Sequence, residues 1–76
     1  MTPTQFYKLD EAEQAEVIWE GQHIADRHDE EHNILLYKID ELYVEVYYHK
    51  EYNIIRKFNA FSRVELLDIY TYGIKN

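Results

Sequence analysis

The pattern of apolar and polar positions is clearest between Leu42 and His49. Leu42, Val44, Val46 and Tyr48 recur with a period of two, and β-branched and aromatic residues dominate the run, which is the signature of an extended strand. Leu35, Ile39, Leu42 and Val46 also fit a heptad, so a helix over residues 30–49 is a rival, but the strict alternation favours strands. Polar punctuation at Asp29 to His32, Asp40-Glu41 and Glu51 to Asn53 divides the middle of the chain. Four strands are predicted, near 22–28, 33–39, 42–49 and 54–61, in an antiparallel meander.

Helical patterns flank this block. Thr2, Pro3 and Gln5 give a cap, a first-turn proline and a Thr-x-x-Gln capping box, so a helix starts at Pro3. A second start signal, Asp10-x-x-Glu13, means either a break near Leu9 or an acidic turn inside one helix reaching about Glu20, with Gly21 as its terminator. At 100° per residue Leu9, Ala12, Ala15, Ile18 and Trp19 form a core-facing stripe, and Glu13, Glu16 and Glu20 line up beside it. Near the other end, Ser62-x-x-Glu65 is a capping box before an apolar run, predicting a helix to about Tyr72 that stops at Gly73. The expectation is a single α+β domain over residues 1–76: N-terminal helix, four-stranded antiparallel meander sheet, C-terminal helix, with both helices on one sheet face.

A two-residue turn at Asp40-Glu41 sets Ile39 opposite Leu42, Tyr37 opposite Val44 and Leu35 opposite Val46, and the next register places Val46 opposite Phe58 and Val44 opposite Ala60. That apolar face belongs under the helices. The opposite face carries Ile34 and Leu36, then Tyr43, Glu45 and Tyr47, then Ile55, Lys57 and Phe61. An apolar centre with a polar rim is the composition of an interaction patch, so Ile34, Leu36, Tyr43, Tyr47, Ile55 and Phe61 are the candidate interface. Scattered strand tyrosines also occur with no partner at all, their bodies packed and their hydroxyls wet. Glu45 and Lys57 are diagonal neighbours able to pair there.

The segment YVEVYYHKEYNIIRKFNAF, Tyr43 to Phe61, together with the following LLDIY, resembles short, single-domain bacterial proteins. The resemblance implies strands rather than helix over this stretch and a stand-alone cytoplasmic protein. It brings no activity, ligand or catalytic residue with it.

Charge changes the list of partners. Residues 1–31 hold nine acidic side chains against Lys8 and Arg27, which accounts for the whole net charge of −7, and the remainder balances. Such a surface repels phosphate backbones and anionic membranes and suits a basic protein. Lys50, Arg56, Lys57 and Arg63 interleave with Tyr52 and Phe58, but Arg56 and Lys57 point to opposite faces of one strand, so no nucleic-acid groove follows. No apolar run approaches the roughly 20 residues of a membrane span. With no cysteine, disulfide and thiolate chemistry are excluded, and a domain this small buries only about 60% of its unfolded surface, which makes self-association a natural expectation.

Candidate chemistry is sparse. His28 to His32, HDEEH, differs from the zincin His-Glu-x-x-His at its second position and falls in a turn rather than on a helix. His32 and His49 are predicted opposite each other, so His28, His32 and His49 form a weak metal candidate against the plainer reading of solvated strand ends. No cofactor is expected. The leading functional expectation is a small acidic non-enzymatic protein–protein interaction module, self-associating as a homodimer through the outer sheet face. The alternative is an acidic inhibitor or immunity-type protein that presents Glu13, Glu16 and Glu20 to a basic partner.

Overall fold

The computed structural model describes residues 1–62, and the helix expected from Ser62 to Tyr72 lies outside the described residues apart from its cap. Two short helices precede four strands: α1 (Pro3–Tyr7), α2 (Glu11–Trp19), β1 (Gln22–His28), β2 (His32–Ile39), β3 (Leu42–His49) and β4 (Ile55–Phe61). The strands form one antiparallel sheet in the order β1-β2-β3-β4. The α+β meander expected from the sequence is therefore present, and no helix among the described residues is long and apolar enough to cross a membrane.

The N-terminal segment takes the broken form. Both capping boxes are made: Thr2 Oγ1 accepts from the Gln5 N–H at 3.1 Å, and Asp10 Oδ1 accepts from the Glu13 N–H at 2.8 Å while Glu13 Oε1 accepts from the Asp10 N–H. Each box satisfies amides that a helix start leaves orphaned, so the second one restarts the helix on a new axis. Gln14 Nε2 donates across the break to the Phe6 carbonyl at 3.1 Å and fixes one helix against the other. Because the axis restarts, the single stripe drawn through Leu9 and Trp19 does not survive. Phe6 and Ile18 are buried, Leu9 and Val17 pack beside them, and Trp19 is 75% exposed.

The core forms where these helices meet the sheet, from Phe6, Ile18, Leu42, Val44, Val46 and Ala60. The expected pairs Ile39–Leu42, Tyr37–Val44, Leu35–Val46, Val46–Phe58 and Val44–Ala60 are all observed. Asp40 sits at φ 53° in the two-residue turn, a left-handed position that aspartate tolerates better than most residues. Tyr7 closes the β4 side: its hydroxyl accepts from the Ala60 N–H at 2.7 Å, satisfying a donor on an edge strand and tying α1 to the sheet.

Gly21 ends α2 for a different reason from the expected left-handed cap, since no glycine among the described residues has positive φ. A Cβ placed there would lie 2.6 Å from Ile39 Cγ1 and 2.9 Å from the Lys38 carbonyl oxygen. The chain passes so close to the end of β2 that a side chain has no room.

Candidate functional site

The outer sheet face, where the interface was expected, is buried within the chain. Ile34, Leu36, Tyr43, Tyr47 and Phe61 are all at most 9% exposed. The sixth, Ile55, is 43% exposed but lies on the helix side. A bulge moves it: Tyr47 pairs with Lys57 and Tyr48 with Ile55, leaving Arg56 as an extra residue that turns Ile55 toward the face of Tyr48.

At the centre of the outer face stands Glu45, fully buried. Its partner is Arg27 rather than the expected Lys57. From β1, Arg27 spans β2 and donates through Nε to Glu45 Oε2 at 2.7 Å and through Nη2 to Oε1 at 3.2 Å. Tyr47 Oη and Asn59 Nδ2 also donate to Oε1, at 3.2 and 3.1 Å, and Arg27 Nη2 donates to the Tyr47 hydroxyl at 3.0 Å. Burial pushes the Tyr47 phenol above its usual range, and the neighbouring carboxylate pushes it further against the opposing pull of Arg27, so the hydroxyl keeps its proton and can donate. The Lys57 ammonium lies 4.5 Å from the centroid of the Tyr47 ring instead. Among the described residues no buried side-chain nitrogen or oxygen lacks a partner. The network joins three strands, β1 through Arg27, β3 through Glu45 and Tyr47, and β4 through Asn59.

The histidines separate. His32 and His49 do face each other, with ring centroids 6.3 Å apart. Each has its Nδ1 committed elsewhere: His32 Nδ1 lies 3.1 Å from Asp29 Oδ1, and His49 Nδ1 accepts from the backbone N–H groups of Glu51 and Tyr52. His28 pairs with Asn33 and lines a cavity with Asp26, Leu35 and Tyr48, on the helix side. The three candidates are therefore not brought together, and no group of three potential ligands that could hold a metal ion occurs among the described residues. Asp29 organises the turn. Slight desolvation raises its carboxyl pKa, but donors from the Glu31 and His32 amides and from the His32 ring outweigh this and hold it below the ordinary value.

The open surface is on the helix side. α2 has nine residues, about 14 Å of helix, whereas the eight residues of β3 extend about 26 Å, so among the described residues the two short helices leave part of the sheet face uncovered. The uncovered part is a groove. One cavity of about 240 Å³ has Tyr37, Val46, Tyr48 and Phe58 for its floor and the exposed Trp19 and Ile55 at its rim. A second of about 620 Å³ runs between Glu11, Ala12 and Ala15 of α2 and Ile55, Arg56 and Phe58 of β4. Beyond Trp19 the surface continues over Ala15, Glu16 and Glu20. Tyr48 on the floor has its phenol pKa raised, first by burial and then by the neighbouring Tyr37, so its hydroxyl keeps its proton in the groove.

Of the acidic trio, Glu13 is occupied in the capping box, while Glu16 and Glu20 flank Trp19 on the open surface. Trp19 was missed as a site residue because it was counted in the buried stripe. The signal that locates it is the second capping box at Asp10, which shortens the helix and changes its phase. Comparison with known proteins adds no family to this geometry: no protein-family model matches the chain, and neither a curated protein nor a solved structure gives a match.

Proposed function

We propose that this chain is a small acidic, non-enzymatic protein–protein interaction module, and that it works through the groove between α2 and β4 rather than through the outer sheet face. The observation that carries this reading is the exposure of Trp19 and Ile55 on either rim of an aromatic floor. A tryptophan left mostly in water is an unusual use of the largest apolar side chain, and tryptophan is the residue type most enriched where interfaces concentrate their binding energy. The rim is charged and the centre apolar, the layout of a docking patch.

An apolar dye tests the groove without knowledge of the partner. The intact chain should enhance the fluorescence of 8-anilinonaphthalene-1-sulfonate, and the double substitution Trp19→Ser with Ile55→Ser should lower that enhancement several-fold while far-ultraviolet circular dichroism stays unchanged. A chain that binds no dye, or whose dye binding ignores both substitutions, does not possess the proposed surface.

A second reading rests on the position of Glu16 and Glu20 beside Trp19. An acidic pair around an exposed indole suits a basic partner, whose cation can lie on the ring. Binding of that kind weakens steeply as salt rises, whereas an apolar contact does not.

A further inference from the structure

Resting on the reading of the α2–β4 groove as a docking surface, we infer that its occupant is a second copy of this chain, related by a two-fold axis that runs along the groove between Trp19 and Ile55. The argument is charge complementarity of the patch with itself. One wall of the groove is acidic, from Glu11 with Glu16 further along α2, and the facing wall holds Arg56. All three are exposed, and none forms an ion pair within 4 Å among the described residues. A closed dimer interface uses the same patch on both copies, so residue i of one meets residue j of the other and the reverse. A patch with acid on one side, apolar residues in the middle and base on the other satisfies that condition. Rotation by 180° about the apolar centre brings Arg56 of each copy to the acidic wall of its mate and buries Trp19 between them.

Local electrostatics agree. No basic residue stands in the last turn of α2, while Glu16 and Glu20 stand at the end of the helix where the dipole is already negative. A cation supplied from outside α2 relieves that arrangement, and within the patch Arg56 of a second copy provides it. The bulge at Arg56 is part of the same design, because it places the guanidinium and Ile55 together at the groove. The small size of the domain adds a motive, since a dimer buries apolar surface that the monomer cannot.

Charge reversal tests the pairing. The chain carrying Glu11→Lys and Glu16→Lys has two basic walls, and the chain carrying Arg56→Glu has two acidic ones. By sedimentation equilibrium in low salt the native chain should be dimeric, each reversed chain alone should dimerise at least about ten-fold more weakly, and their equimolar mixture should recover a heterodimer. Raising the salt should narrow these differences. A native chain that remains monomeric, reversed chains that dimerise as tightly as the native, or a mixture that stays monomeric overturns the inference. Dye binding lost on substitution of Trp19 and Ile55 would still uphold the groove itself, so failure of the second copy as occupant is distinguishable from failure of the docking surface.

Discussion

Replacing Arg27 by alanine should destabilise the fold by about 3–5 kcal/mol, because it strips the bidentate cation from a carboxylate with no access to water. A chain of this length has a total stability of roughly 4–11 kcal/mol, so the substitution removes a large share of it. The loss should begin at β1, an edge strand whose residues are mostly exposed and which Arg27 ties across β2 to β3. Hydrogen exchange will then show β1 amides opening before those of β3. Tyr47→Phe provides the scale, since it deletes one neutral donor and should cost only about 1 kcal/mol. A stability difference for Arg27→Ala that is below about 1 kcal/mol is incompatible with this ion pair.

Phe6→Ala should cost a similar amount, about 3–5 kcal/mol. α1 has only five residues, far too few to be helical in isolation, so its place depends on its single buried side chain. Phe6 is fully buried, meets Phe58 edge-on at 6.0 Å between ring centroids, and offers its carbonyl to Gln14 and Leu9. Truncation should release α1, and with it the Tyr7 hydroxyl that holds the Ala60 N–H. The specific readout is therefore rapid exchange of the Ala60 amide together with a lowered urea midpoint and an unchanged m-value. Retained protection at Ala60 in the Phe6→Ala chain would falsify this account of how α1 is anchored.

Much of this architecture was legible in the residues themselves. The alternation Leu42, Val44, Val46, Tyr48 fixed which positions share a face, and the two-residue interval Asp40-Glu41 fixed the register of β2 on β3 without knowledge of the tertiary structure. Both capping boxes were visible because their bonds are local, three residues apart. The features that were not legible share a physical cause: they depend on contacts across the sheet. Arg27 reaches Glu45 over an intervening strand, so pairing arguments limited to adjacent strands match the carboxylate with Lys57 and leave the outer face open to a partner. The bulge at Arg56 inserts one residue with no glycine or other marker, and it carries Ile55 from one face to the other. Gly21 looked like a left-handed cap, whereas the constraint is the approach of Ile39, a residue eighteen positions away.

The candidate site followed the same division. Its ingredients stand in the sequence as Trp19, the adjoining glutamates and the aromatic strand residues, but among the described residues the groove arises because α2 is too short to cover the sheet. The sequence contained that fact in the restart at Asp10, and its consequence for Trp19 appears once the helix is laid on the strands.

The central claim, that the chain meets its partner through the groove at Trp19, has a direct test because Trp19 is the only tryptophan. Its emission spectrum and its quenching by acrylamide should be recorded over a dilution series, with molecular mass followed by sedimentation. In the dilute protein the indole, 75% exposed, should emit as a solvated tryptophan and quench readily. With rising concentration the emission should shift to the blue and the quenching constant should fall, in step with the growth of mass from one copy to two. Emission and quenching that stay constant while the mass grows from one copy to two contradict the account.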